Sequence, residues 1–341
     1  MKALLATSFV LLGFCGTNAL AGWWLERRPE LRLPLGSDER QKLAQYRAHA
    51  ADYDTVFVGT SRVLRGFDPR VFDQRMAELG QPTRSFNFGL VSMGFLEEVY
   101  LVDWILAQRP DRLRWLLVEP TERDAVMRLR GKDENRVNQF TMRSVYWHGL
   151  EETALGLSTT WRSARKLPKK LELTRVHLLH AAHRLCNLGV GENLLNLWLA
   201  DGPRGDVLVE GFPSEAPRGA EWQETDEPEP HTNAVEEPAR VDLEIMLDLA
   251  ERTRAAGVRP VFVMPPTPQP PVLSRWLDAN TQWSAPADLL HYSRRTFPEI
   301  LRDKDLFFFD EGHMNLRGAE FFTRRLALDF AALLREELAT R

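Results

Sequence analysis

Cysteine is nearly absent. The 341 residues hold two, Cys15 and Cys186, which give neither metal-ligand spacing nor a disulfide framework. Net positive charge is missing as well: 44 Lys and Arg stand against 48 Asp and Glu, leaving −4. That balance argues against a general nucleic-acid binder, because neutralising phosphates takes a basic face. No internal repeat is detectable. Neither a metal nor an organic cofactor is expected. His177, His180 and His183 fall at helical spacing, but no acidic or thiol ligand nearby completes a set.

What the chain does have begins at its N-terminus. Met1-Lys2 is followed by an apolar run from Ala3 through Cys15 to Trp24, with Ala19-Leu20-Ala21 placed like a signal-peptidase site. Residues 1–24 therefore read as an export signal or a membrane anchor. The run is just long enough to span a bilayer, and Trp23-Trp24 suits a membrane interface. Phe14 before Cys15 argues against a lipoprotein signal. The expected location is the extracytoplasmic side, with residues 3–24 either removed or kept as an anchor.

Beyond it, short apolar runs alternate with helical patterns. A polar helix over 37–51 leads to a strand at Thr55–Val58, and a helix over 70–79 to a strand at Arg84–Phe88. A helix over 94–108 then leads to a strand at Trp115–Val118. After a helix over 241–256 comes a strand at Pro260–Met264, followed by a helical region over 286–301. A fifth strand is expected at Leu306–Phe309, before a last helix ending near Leu338. This alternation predicts an α/β fold: a three-layer αβα sandwich around a five-stranded, mostly parallel sheet. Residues 25–341 form that domain, interrupted by an insertion at about 129–240. The insertion is helical and basic to about Leu199, including Arg162, Arg165 and Lys166, and then rich in Pro, Gly and acid. The second part cannot bury a core and reads as exposed.

Chemistry concentrates at the ends of the apolar runs. Thr55-Val56-Phe57-Val58 runs into Gly59-Thr60-Ser61-Arg62, and open α/β sheets collect ligands at the carboxyl ends of their strands. Ser61 is thus a candidate nucleophile, with helix capping as its ordinary role. A hydroxyl nucleophile needs a base, and the base needs an orienting partner. Asp310 and His313, three residues apart in one loop, supply that pair. Arg62 and Arg65 flank Ser61 and are candidates for binding a substrate carboxylate or phosphate; pairing with local acids is their alternative.

Gly59-Thr60-Ser61 and Asp310-Glu311-Gly312-His313 together resemble the SGNH/GDSL-type hydrolases and acyltransferases. That resemblance covers about 52–124 and 241–341. It implies a flavodoxin-like strand order and a triad of Ser61, His313 and Asp310. It also implies an oxyanion hole from the N–H groups of Ser61 and Gly89, the latter within Asn87-Phe88-Gly89. The family's third block departs here: Glu119-Pro120-Thr121-Glu122 stands where Gly-x-Asn-Asp is expected, leaving Thr121 or Asn87 as substitute donors. Glu119 is either turned away from the oxyanion or has another role, and joins the candidate substrate-binding set. The implied activity is an esterase or O-acyltransferase acting on an acylated glycan or envelope polymer. Membrane-anchored relatives of this layout, in alginate acetylation and teichoic-acid D-alanylation, work beside a membrane-bound O-acyltransferase, which makes such an enzyme a candidate partner. The competing expectation is a non-catalytic envelope scaffold that binds glycan or organises a modification complex.

Overall fold

The computed structural model describes residues 2–33, 37–91, 93–108, 111–120, 147, 149–163, 167–187, 208–209, 212–213, 240–280 and 288–340. The chain divides into two compact units, residues 1–44 with 131–205, and residues 45–130 with 206–341. The N-terminal segment therefore groups with the first part of the insertion.

The second unit carries the sheet. Its strands are β1 (Thr55–Gly59), β2 (Ser85–Gly89), β3 (Trp115–Val118), β4 (Arg259–Met264) and β5 (Asp288–His291). All pair in parallel, in the order β2-β1-β3-β4-β5. This is the flavodoxin-like order, with helices covering both faces. Parallel strands buried on both sides read as continuous apolar runs, and Val56, Phe57 and Val58 are fully buried.

Alternation of side chains sorts the two faces. Phe57, Leu117, Val261 and Val263 face a core shared with Phe67, Phe72, Phe322, Leu326 and Phe330. Those aromatics come from the short helix α3 (Ser61–Gly66) and its C-cap, from α4 (Pro69–Glu78), and from the last helix, Leu316–Thr340. Complete burial of one such ring contributes on the order of 2–3 kcal/mol. On the opposite face, Phe86 and Phe88 of β2 meet the ring of Tyr46, and Phe88 meets Trp104 of the helix α5 (Phe95–Ala107).

The fifth strand differs from the sequence expectation. Leu306–Phe309 is not a strand: Lys304–Phe307 forms a helical turn, and Phe308 makes an isolated antiparallel bridge to Met314. The last strand is Asp288–His291, inside a region whose pattern suggested helix. A four-residue apolar run does not distinguish strand from helical turn. Here a turn buries Phe307 and Phe308, while Leu306 stays 41% exposed. The carbonyls it frees are used, since Asn315 donates from its backbone to Phe307 O (2.9 Å) and from its amide to Leu306 O (3.0 Å). The strand β5 has only Leu289 and Leu290 as apolar residues. The ion pair of Asp288 with Arg259 (2.7 Å) ties its start to β4.

In the first unit, α1 spans Lys2–Glu26. Its stretch Thr7–Glu26 is long and apolar enough to cross a membrane, by length and composition, and Phe9, Val10, Leu12, Phe14 and Leu20 are exposed. Among the described residues of the insertion, Leu150–Ser163 and Leu167–Leu185 are helices. Glu26 pairs with Arg32 (3.1 Å) and with Arg184 (2.6 Å), joining α1 to the second of them. Most of the acid- and proline-rich part of the insertion lies outside the described residues; in the second unit, Leu208–Val209 and Phe212–Pro213 pair as a short antiparallel ladder.

Candidate active site

Ser61 begins α3 directly after β1. Thr60 caps that helix, its Oγ1 accepting from the Arg62 N–H (3.2 Å). The turn is tight on both sides. A Cβ on Gly59 would lie 2.3 Å from Val63 Cγ2, and one on Gly89 would lie 2.0 Å from the backbone nitrogen of Leu64. Both glycines are therefore demanded by close approach of chain to chain.

The last helix, the twelfth α-helix among the described residues and labelled α12 (Leu316–Thr340), brings the second half of the site to the first. Its Thr323 hydroxyl donates to Gly66 O (3.0 Å) and accepts from the Asp68 N–H (3.1 Å). Phe322 packs edge-on to Phe67 at 5.3 Å. The loop before α12 is pinched by the Phe308–Met314 bridge and by the Phe309 N–H donating to His313 O (3.1 Å). Asn315 closes the loop by accepting from the Gly318 N–H (2.9 Å). From the proline-rich segment after β4, the Thr267 hydroxyl donates to Glu311 O (2.8 Å).

Within this frame Ser61 Oγ lies 2.7 Å from His313 Nε2. His313 Nδ1 lies 2.8 and 2.9 Å from the two carboxylate oxygens of Asp310. Asp310 Oδ1 also accepts from the N–H groups of Gly312 and His313, both at 2.7 Å. A carboxylate so placed accepts only, so Nδ1 carries the proton and the Nε2 lone pair faces the serine hydroxyl. The side chains of His313 and Asp310 are 29% and 27% exposed, so the line is reachable from solvent. The sequence placed Asp310 and His313 at a strand end; the structure holds them in a helix–loop–helix corner, and β1 is an interior strand.

Sequence reasoning named no residue behind the imidazole. Phe309 stacks on the His313 ring (5.6 Å, 11°), and the Arg65 guanidinium lies over Phe309 at 5.2 Å. Arg65 thus braces the imidazole through Phe309. The aromatic run ending at Asp310 was the only signal for this support.

The residues expected around the oxyanion sit differently. Asn87 is fully buried on the α3 side of β2, and its amide donates to Val63 O (2.9 Å) and Phe67 O (2.7 Å). Its Oδ1 accepts from the Gly89 N–H (2.7 Å). Asn87 therefore secures the end of α3, and the Gly89 N–H is directed to it. Ser61, as the first helical residue, has an N–H without an intrahelical acceptor. Thr121 lies outside the described residues.

Glu119, fully buried after β3, does not face a substrate. Its Oε2 accepts from the Thr60 N–H (2.7 Å) and the Thr60 hydroxyl (2.9 Å). Its Oε1 is 2.5 Å from Arg62 Nε, an ion pair whose N–H is not aligned along the contact, which leaves that oxygen without a regular hydrogen bond. Arg62 thus has a local acid as its partner, and Thr60 joins the site unforeseen.

Among the described residues no cluster of His, Cys, Asp and Glu is arranged to hold a metal ion. His177 lies 3.2 Å from the Thr160 hydroxyl, and His180 is buried. In the first unit a cavity of about 460 Å³ is lined by Glu26, Arg32, Glu152 and Arg184 among others, of which Glu26 bridges the two arginines. No family model, curated protein or solved structure matches this chain.

Proposed function

We propose that the chain is an exported serine esterase or O-acyltransferase of the SGNH type, acting on acyl esters of a cell-envelope glycan or polymer. The observation that carries this reading is the continuous line from Ser61 Oγ through His313 to Asp310. Productive proton transfer needs heavy atoms roughly 2.6–3.2 Å apart, and both links fall in that range.

In this reading Ser61 Oγ attacks the acyl carbonyl and its proton passes to His313 Nε2. Asp310 holds the imidazole and stabilises the imidazolium. The Ser61 N–H stabilises the oxyanion, and Gly89 joins it only by exchanging away from Asn87. Collapse breaks the bond from the acyl carbon to the leaving oxygen, and His313 protonates the departing alcohol. Water or a sugar hydroxyl then gives its proton to His313 and attacks the acyl-Ser61 carbonyl. The ester bond to Ser61 breaks, and Ser61 recovers its proton.

Export rests on the apolar helix α1, whose Trp23 and Trp24 suit a membrane interface. A membrane-bound O-acyltransferase is the proposed partner, donating the acyl group to Ser61.

A second reading, a non-catalytic envelope scaffold, is favoured by one observation: the Gly89 N–H is occupied by Asn87. Turnover of a chromogenic acyl ester, with and without an added sugar acceptor, separates the two. The enzyme reading expects acyl release or transfer that is lost in Ser61→Ala and His313→Ala. The scaffold reading expects no turnover, with glycan binding unchanged by Ser61→Ala.

A further inference from the structure

We propose that Arg62 and Glu119 are positioning residues for the nucleophile, acting as one neutral pair that holds the residues on either side of Ser61. The inference rests on the serine chemistry above and reassigns two residues that the sequence placed in substrate binding.

Glu119 reaches the nucleophile turn because β3 and β1 are neighbours; its N–H donates to Val58 O (2.8 Å). One carboxylate oxygen takes both the peptide N–H and the hydroxyl of Thr60. A hydroxyl has a single proton. Once it is given to Glu119, Thr60 Oγ1 can only accept, and the Arg62 N–H is its donor at 3.2 Å. The other oxygen meets Arg62 Nε at 2.5 Å. Residues 60 and 62 are therefore both tied to one buried side chain, and Ser61 is fixed between them.

The charge needs the same pairing. A buried carboxylate without a counter-charge is unfavourable. Close to Ser61 it also opposes the negative charge that develops on the attacked carbonyl oxygen. Arg62 cancels both effects. The two side chains are thus coupled with a definite sign: loss of the arginine alone is worse than loss of both charges.

The test measures the labelling rate of the full chain in detergent with an uncharged fluorophosphonate, so that Arg62 has no direct attraction for the probe. Rates are compared for wild type, R62M, E119Q and the double variant, at a temperature where circular dichroism shows all four folded. R62M is expected to react roughly 100-fold more slowly than wild type, the scale of losing one oxyanion donor. Adding E119Q should recover most of that loss, leaving the double variant close to E119Q alone. Additive losses, or a double variant no faster than R62M, would overturn the proposal and return Arg62 to an independent role. Thermal melts give a reading independent of chemistry: R62M should melt below the double variant, and equal melting temperatures would count against the pair. If wild type itself is not labelled, the serine reading falls, while the melts still decide the pairing.

Discussion

Gly59 and Glu119 occupy each other's space: a Cβ on Gly59 would lie 2.7 Å from both Cβ and Oε2 of Glu119. The glycine two residues before Ser61 is therefore set by a carboxylate at the end of the neighbouring strand, as well as by the turn itself. The added methyl also meets Val63 Cγ2 at 2.3 Å, so two side chains would have to give way at once.

Gly59→Ala is accordingly expected to destabilise the fold by about 3 kcal/mol, the upper range for overpacking a filled site. It should also displace Glu119 from Thr60 and slow acylation of Ser61. Chemical denaturation and fluorophosphonate labelling measure the two effects separately. An unchanged stability would mean that the strand ends are looser than their spacing here.

Asp310→Asn keeps an oxygen for the N–H groups of Gly312 and His313, which hold the loop at 2.7 Å. It replaces the acceptor that fixes the proton on His313 Nδ1. The fold should survive, while acyl-ester turnover falls by ~10⁴-fold through the wrong tautomer. A variant with near wild-type turnover would remove Asp310 from the chemistry and leave it a loop brace.

The helix Leu167–Leu185 should be sensitive to acid. Burial pushes His180 down to about 4 from 6.5, with His177 and His183 adding like-charge repulsion, and burial does the same to His177. The folded state thus holds these imidazoles neutral, while the unfolded chain protonates them near 6.5. Stability is undiminished above that pH and declines as pH falls from 6.5 towards about 4. Hydrogen exchange of amides in this helix, corrected for intrinsic rates, should show protection lost across that window. His180→Phe should lessen the loss; an equal loss in the variant would place the acid response elsewhere.

Much of this arrangement was legible in the sequence because several signals agreed. The strands β1, β3 and β4 carry apolar runs, and β2 is buried along its whole length although Ser85 and Asn87 alternate with Phe86 and Phe88. Ser61, Asp310 and His313, which the structure brings into one hydrogen-bonded line, could be singled out because a hydroxyl, a base and its partner are specific residue types. The fifth strand was not, because Leu289 and Leu290 are too short an apolar run to signal it, whereas Leu306–Phe309 is apolar throughout and reads as the stronger candidate. Side-chain destinations were the harder part. Whether Asn87 faces a substrate or α3 depends on the parity of β2 against Phe57, its partner in register, and on where α3 packs. Arg62 and Glu119 were both singled out, yet only the adjacency of β1 and β3 makes them partners. Phe309 and Thr60 carried no signal beyond an aromatic run and a capping residue.

The most direct test of the central claim is intact-mass and peptide mapping of the full chain after exposure to an uncharged fluorophosphonate. The Ser61–His313 contact of 2.7 Å predicts a single phosphonyl adduct on the peptide containing Ser61. It should be absent in Ser61→Ala and strongly reduced in His313→Ala. A folded wild-type chain that carries no adduct, or carries it on another serine, would contradict the account.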